Sequence, residues 1–191
     1  IIDIIDGGKT SLNEVTITFK EGDRLVKYAE LVGKYTDNSK EDFIGISKDE
    51  SYLKELISKY WFLTNDILDK DIYYPLEGYL APDTYNFHKN DSVETIMEKL
   101  LDEEDKKLSK YKATILKKPH YYITMASIVE IEGTKLDNRK MIAGIFENRL
   151  KANMNLGSDV TTYYAFNKEL SESLDSSYFN TANPYNTRAS N

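Results

Sequence analysis

The chain has 191 residues, 40% of them hydrophobic, which is enough apolar material for one large domain or two small ones. Its formal net charge of −7 argues against a nucleic-acid surface, because a phosphate backbone is bound by clustered Lys and Arg. The absence of cysteine excludes disulfides and thiolate metal sites, and with only two histidines, His88 and His120, a histidine metal centre is disfavoured.

The N-terminal part of the chain has the pattern of a strand followed by a short amphipathic helix. Residues 15–19 alternate apolar and polar side chains, which predicts a half-buried strand. Asp23 is predicted to cap the helix that follows, and Gly33 is predicted to end it. We therefore expect this helix to pack on the strand.

A second helix and a second strand are predicted before residue 90. The apolar stripe across residues 53–60 predicts the helix, and the Pro and Gly positions of 74–83 predict a loop that leads into a strand at 84–87. The segment Asp-Ser-Val-Glu at 91–94 resembles a capping box and predicts the start of the next helix. We place a boundary between two subdomains near residues 88–91.

The rest of the chain is predicted to be mainly helical. Pro119 is placed to start a helix that stops near Gly133, and Asp137 is placed to cap another. The apolar stripe of that last helix is predicted to comprise Ile142, Ile145, Phe146 and Leu150. Periodicity fades across 153–191, where the composition favours a groove wall or flap.

No segment of the sequence predicts a membrane span or a signal peptide. The longest apolar stretch, residues 121–129, is far shorter than the ~20 residues that a membrane helix needs. The chain opens on Ile1 rather than Met and ends on Asn191 without an obvious closing element, so we interpret it as a piece of a longer protein. Targeting signals would then lie outside it.

Two carboxylates interrupt the apolar helix that ends near Gly133. A carboxylate in such a run is costly unless it is solvated, paired or used in chemistry. Glu130 and Glu132 lie about 200° apart around a helix, so at most one of them can face a given cleft. Periodicity leaves the choice open, and it also leaves open that both are ordinary solvated glutamates.

Several ordered motifs resemble a known family. They are LEGYLAPDTY at 76–85, ASIVEIE at 126–132, IAGIFENRL at 142–150, Met154 and Leu156 ahead of Ser158-Asp159, and PYNT at 184–187. In this order they resemble the endolytic murein transglycosylases, the YceG-like or MltG family. Three positions depart from the family pattern: Ala81 replaces a bulky residue, Val160 a proline and Arg188 a tyrosine.

The resemblance implies an α+β fold with a LysM-like strand-helix-helix-strand subdomain at 13–90 and a mainly helical YceG-like catalytic subdomain at 91–191. It implies a lyase that cuts the β-1,4 bond between N-acetylmuramic acid and N-acetylglucosamine in nascent peptidoglycan strands and leaves 1,6-anhydro ends. Glu130 corresponds to the catalytic glutamate, acting first as acid and then as base. No metal or organic cofactor is implied.

The resemblance further implies a single membrane anchor N-terminal to this chain, a catalytic domain on the extracytoplasmic side, and work beside peptidoglycan synthases (penicillin-binding proteins) and the elongation or division machinery. The candidate substrate-binding residues are Glu77, Asn148, Asp159, Thr161, Tyr163, Tyr185 and Asn186. They would line a groove between the two subdomains, because aromatic faces stack on sugar rings and amides pair with hydroxyls.

Structural alternatives accompany these assignments. Glu77 is equally well interpreted as a loop brace, Asp159 as a turn cap, and Arg149 as a partner of Asp159 or Glu147 in holding the fold. His120 is interpreted as structural. At the level of function, the alternatives are a muramidase that uses water and a peptidoglycan-binding scaffold in which Glu130 is inert.

Overall fold

The structure is a computed structural model that describes residues 13–189, and it is α+β as predicted. The elements in chain order are β1 Glu14–Thr18, α1 Leu25–Tyr35, α2 Lys40–Ile46, α3 Glu50–Lys59, β2 Thr84–His88, α4 Val93–Ser109, α5 Lys112–Ile115, α6 Pro119–Glu132, α7 Leu136–Lys151, α8 Asp159–Ala165 and α9 Ser176–Asn180. A 3-10 turn at Asn65–Leu68 precedes β2. The chain forms two compact units, divided between His120 and Tyr121.

The first unit is built around an antiparallel strand pair. β1 and β2 pair from Glu14 opposite His88 to Thr18 opposite Thr84, so the predicted strands are confirmed. Alternate residues, Ile17 among them, are buried on one face, as the period of a strand requires. On the other face the two threonine hydroxyls of Thr18 and Thr84 lie 2.9 Å apart.

Helix α1 differs from its prediction at both ends. Its N-cap is Arg24 rather than Asp23, and the backbone N–H of Leu25 donates instead to the Glu77 carboxylate at 2.9 Å. The helix also continues past Gly33 to Tyr35. Gly33 serves close packing, because a Cβ there would lie 2.9 Å from the backbone nitrogen of Lys40 in α2.

Helix α4 packs inside the first unit, although the predicted subdomain boundary lies just before it. The Tyr60 hydroxyl donates to the Asp102 carboxylate at 2.6 Å, and the N–H of Ala81 donates to the carbonyl of Leu100 at 3.4 Å. α4 begins at the predicted capping segment, but its N-cap is Ser92, whose hydroxyl accepts from the N–H of Thr95 and not of Glu94. The subdomain boundary near residue 90 remains a prediction. Helix α2 is a third helix between the strands, beside the two that the sequence predicted.

The end of the first unit holds one of the two histidines. The hydroxyl of the fully buried Tyr79 lies 2.7 Å from Nδ1 of His120, and the two rings are stacked. This partner agrees with the structural role predicted for His120.

Helix α6 runs from Pro119 to Glu132, which confirms its predicted start and end. A proline suits the first position of a helix because its missing N–H needs no partner there.

The N-cap of α7 is Lys135 rather than the predicted Asp137. The predicted stripe of α7 is correct for Phe146, which is buried, and wrong for Ile145 and Leu150, which are 55% and 39% exposed.

Residues 153–189, predicted to lack regular periodicity, contain the two short helices α8 and α9. Among residues 13–189, none of the helices combines the length and the apolar character that a membrane span requires.

Candidate active site

The last turn of α6 carries both candidate glutamates. Glu130 is half-buried and Glu132 is more exposed, and the helix sets them about 200° apart. Ile123, two turns before Glu130 on the same side of the helix, is buried, whereas Ala126 is exposed. Glu130 therefore lies at the margin between an apolar surface and solvent, where a carboxylic acid keeps access to a ligand.

Glu132 has a defined partner in another element. The hydroxyl of Ser158, which is only 2% exposed, donates to Oε1 of Glu132. Ser158 is the N-cap residue of α8, so this bond joins the end of α6 to the start of α8. A buried hydroxyl donating to a carboxylate is a strong, charge-assisted contact. The geometry thus gives Glu132 a structural role.

A small hydrogen-bonded network continues from Ser158 to the end of the described chain. The N–H of Ser158 donates to the Thr187 hydroxyl at 3.1 Å, and the hydroxyls of Thr187 and Thr161 lie 2.7 Å apart. The Thr161 hydroxyl also donates to the carbonyl of Ser158 at 2.7 Å. Thr161, a candidate substrate residue, is buried and holds α8 against residues 184–187.

Asn186 is the candidate residue whose side chain makes the most hydrogen bonds to the rest of the fold. It is 1% exposed, and its amide nitrogen donates to the carbonyls of Tyr178 and Thr181 at 2.9 and 2.8 Å. Its amide oxygen accepts from the Thr162 hydroxyl at 2.8 Å and from the N–H of Arg188 at 3.2 Å. Both donors and both lone pairs are used, so this arrangement favours a fold-holding role over contact with a sugar.

Asp159 and Arg188 form an exposed ion pair. Nη1 of Arg188 lies 3.1 Å from Oδ1 of Asp159, and the guanidinium also lies 5.6 Å from the centre of the Phe179 ring. Arg188 stands where the family pattern has tyrosine, so this chain has a cation beside a candidate substrate carboxylate. The predicted partners of Arg149 differ from the observed one: its Nε donates to the carbonyl of Asn155 at 2.6 Å.

The tyrosine candidates lie in α8 and in the C-terminal segment. Tyr163 is half-buried, and its hydroxyl donates to the carbonyl of Glu172 at 3.1 Å. Tyr185 packs edge-on against Tyr164 with ring centres 5.0 Å apart. Half-buried rings of this kind retain an accessible face, so both stay candidates for stacking on a sugar.

On α7, Asn148 is exposed and shares a helix face with the exposed Ile145. The preceding residue, Glu147, accepts a hydrogen bond at 2.7 Å from the hydroxyl of Tyr121 in α6. This contact couples α6 to α7. The side chain of Asn148 is accessible to solvent, so Asn148 stays a candidate for contact with substrate.

Glu77 belongs to the first unit and braces it. Its carboxylate accepts from the N–H of Leu25, and Nε of Arg24 lies 3.9 Å from the same oxygen. A carboxylate at a helix N-terminus satisfies an unpaired N–H and complements the helix dipole. These contacts favour the loop-bracing interpretation over a substrate role.

Sequence reasoning missed two contributors to the site. One is Ser158, which donates a hydrogen bond to Glu132. The other is Arg139 of α7, which donates to the carbonyl of Gly133 just after α6. The pairing of Ser158 with Glu132 spans 26 positions and leaves no local pattern. For Arg139 a signal existed, because a basic residue shortly after a helix end often interacts with its last carbonyls.

Comparisons with known proteins agree with this architecture. The YceG-like family pattern matches residues 1–191. The endolytic murein transglycosylase of Bacillus subtilis is 36% identical over 176 residues, which are 90% of this chain and 49% of that protein. The endolytic murein transglycosylase of Streptococcus pneumoniae D39 is 37% identical over 163 residues, covering 80% of this chain and 30% of that protein.

A crystal structure of a YceG-like protein from Listeria monocytogenes superposes with a TM-score of 0.84 at 34% identity, over 92% of this chain and 59% of that one. The chain belongs to the YceG-like family. It spans about half, or less, of the length of the curated relatives it matches.

Proposed function

We propose that this chain is the catalytic part of an endolytic lytic transglycosylase, a lyase that cuts peptidoglycan glycan strands at the bond between N-acetylmuramic acid and N-acetylglucosamine. The proposal is supported by membership of the YceG-like family and by two relatives that are named endolytic murein transglycosylases. We assign the acid/base role to Glu130. The observation that supports this choice is the bond from Ser158 to Glu132, which engages the other candidate carboxylate in the fold.

The chemistry asks one carboxyl group to act twice. Protonated Glu130 gives its proton to the glycosidic oxygen as the bond from C1 of the muramic residue to that oxygen breaks. The carboxylate then takes the proton of the C6 hydroxyl of the same residue, whose oxygen bonds to C1 and closes the 1,6-anhydro ring. The leaving glycan end gains a hydroxyl, no water is consumed, and Glu130 ends protonated as it began.

The remaining candidate residues divide into two groups in this proposal, those that bind substrate and those that hold the fold. Asn148, Asp159, Tyr163 and Tyr185 keep accessible polar or aromatic surface and are assigned to substrate binding. Thr161, Asn186 and Glu77 are bonded to their own fold and are assigned to holding the site in shape. This division follows from burial and from the partners each side chain already has.

The proposed setting is the outer face of the cytoplasmic membrane, where nascent strands are made. The substrate is the glycan strand, and the proposed protein partners are peptidoglycan synthases and the elongation or division machinery. The N-terminal LysM-like module is proposed from the paired strands β1 and β2 with helices between them. Cutting within a strand would end its growth, which is the proposed biological outcome.

The test is a digest of purified glycan strands by the full-length protein, with the products identified by mass spectrometry. The wild type is expected to release fragments with 1,6-anhydro ends, and Glu130→Gln is expected to lose at least about 100-fold in rate, because general acid–base catalysis is typically worth that much. Glu132→Gln is the matched control, the same change two residues along the same helix, and it is expected to retain most activity.

The outcomes separate the alternatives. Reducing ends without an anhydro ring would identify a muramidase, and no cleavage by the wild type would favour the binding scaffold. Unchanged cleavage by Glu130→Gln would remove Glu130 from the mechanism.

A further inference from the structure

The side chain of Arg139 lies on the C-terminal end of α6. Arg139 belongs to the first turns of α7, and its Nε donates to the carbonyl of Gly133 at 2.8 Å. Its Nη2 donates to the carbonyl of Glu130 at 3.4 Å. The last carbonyls of a helix lack partners within it and carry partial negative charge, so a guanidinium fork suits this place.

Gly133 makes room for this contact. A Cβ at position 133 would lie 2.7 Å from Cγ of Arg139 and 3.1 Å from its backbone nitrogen. The left-handed glycines of the described chain are Gly22, Gly78 and Gly157, so the requirement at Gly133 is space and not an unusual backbone angle. The sequence pattern indicated only a helix stop at Gly133, and the structure adds the close approach of α7.

We propose that Arg139 is a positioning residue for Glu130. One of the two carbonyls that the guanidinium holds belongs to Glu130 itself, so the bond fixes the backbone from which the proposed acid projects. On the opposite side of the same turn, Glu132 is held by Ser158. Displacing a catalytic group by about 1 Å costs on the order of 100-fold in rate, so this anchoring is directly relevant to turnover. The inference rests on the proposed function of Glu130.

A purely stabilising helix cap makes different predictions from a positioning residue. A cap would lower the melting temperature and leave turnover of the folded protein unchanged. A positioning residue lowers kcat at temperatures well below melting and leaves KM near its wild-type value, because substrate binding does not pass through it.

The experiment compares Arg139→Ala, Arg139→Lys, Gly133→Ala and the double variant Gly133→Ala/Arg139→Ala in the full-length protein. Gly133→Ala keeps the guanidinium in the chain and displaces it sterically. Gly144→Ala in α7 is the matched control, since a Cβ there meets no atom within 4 Å. The measured quantities are kcat and KM for strand cleavage, the melting temperature, and hydrogen exchange of the backbone amides of residues 130–133.

We expect Arg139→Ala and Gly133→Ala each to lower kcat by about 10- to 100-fold, with KM within about threefold. The double variant is expected to be about as slow as Gly133→Ala alone, because that change already displaces the guanidinium and also presses on the backbone of residue 139. Arg139→Lys should recover part of kcat, since an ammonium reaches one carbonyl and not two. Exchange at residues 130–133 should accelerate in the slow variants and stay unchanged in Gly144→Ala.

Three results would overturn the inference. These are a folded Arg139→Ala protein with wild-type kcat, a rise in KM alone, or a fall in kcat without faster exchange at the end of α6. A failure of the proposed function looks different: the wild type itself would form no anhydro ends, or Glu130→Gln would cut as fast as the wild type.

Discussion

Ser158 donates its hydroxyl hydrogen to the carboxylate of Glu132, joining the N-cap of α8 to the last turn of α6. Through its own N–H, Ser158 also reaches Thr187 at 3.1 Å. Three segments that are distant in sequence, and that all carry family motifs, therefore meet at one buried serine. The spacing of these motifs therefore reflects a requirement of the fold.

Replacing Ser158 is predicted to be costly for stability. Ser158→Ala removes a hydrogen bond to a charged group, so we expect a loss of about 1.5–3 kcal/mol in the free energy of unfolding. Glu132→Gln should lose less, because a Gln side chain still offers an oxygen acceptor to the hydroxyl. Urea unfolding followed by circular dichroism measures both. The control is Ser127→Ala, an exposed serine of α6, and equal stability of Ser127→Ala and Ser158→Ala would contradict the prediction.

Two asparagines of the candidate site are predicted to respond in opposite ways. Asn186→Ala removes the partners of two carbonyls, a hydroxyl and an N–H, and each unsatisfied buried group costs about 1–3 kcal/mol, so we expect the second unit to be strongly destabilised. Asn148→Ala changes an exposed helix position and should alter stability by less than about 0.5 kcal/mol. In our proposal it raises KM for the glycan instead.

Melting curves and steady-state kinetics on the two variants separate these effects. A stable Asn186→Ala protein with a raised KM would restore Asn186 to the substrate-binding set, contrary to the role that its four hydrogen bonds indicate.

What sequence reasoning recovered depends on the range of the interactions. The strands, α6 between Pro119 and Gly133, and the start of α4 follow from local periodicity and from residues a few positions away. Glu77 bonding to Leu25 across 52 positions was beyond that reach, because only the folded chain brings the two groups together. For the same reason helix geometry limited the site to at most one of Glu130 and Glu132 and did not identify Ser158 as a partner of either.

Glu77 is predicted to stabilise the first unit. Glu77→Ala leaves the N–H of the buried Leu25 without its acceptor and should cost about 1–2 kcal/mol. Glu77→Gln keeps an oxygen acceptor and should cost about half of that or less. Fluorescence of Trp61, the single tryptophan of the chain and a residue of this unit, reports unfolding directly.

Glu21→Ala, an exposed glutamate of the same unit, is the control and should leave the transition in place. If Glu77→Gln abolished strand cleavage at unchanged stability, Glu77 would be a substrate residue after all.

The Arg188–Asp159 pair is predicted to contribute little to stability. Both side chains are about half exposed, and such pairs are typically worth about 1 kcal/mol or less. A double-mutant cycle of Arg188→Ala and Asp159→Asn, measured by urea unfolding, should give a coupling energy in that range. It should shrink further in 1 M salt, where the screening length is about 3 Å. A coupling energy of about 2 kcal/mol or more that does not change with salt concentration would contradict the prediction and would indicate an ion pair shielded from solvent.

The last prediction concerns pH and the contact between α6 and α7. The hydrogen bond from Tyr121 to the Glu147 carboxylate, together with burial and the nearby negative charge, raises the pKa of Tyr121 to about 12. An unfolded tyrosine ionises near pH 10. The contribution of Tyr121 is thus fully present below about pH 10 and is lost as pH rises toward 12, since the unfolded state then binds fewer protons than the folded one.

Tyr121→Phe removes both the hydrogen bond and the ionisable group. The wild type should be more stable than Tyr121→Phe at pH 8, and this difference in the free energy of unfolding should shrink as pH rises above about 10. Other groups that titrate in this range are present in both proteins and affect them equally. Urea unfolding at several pH values measures the difference. Tyr122→Phe, at the neighbouring exposed tyrosine, is the control for the loss of a tyrosine hydroxyl from α6. An advantage that grows with pH would contradict the assigned direction, since a tyrosine bonded to a carboxylate resists losing its proton.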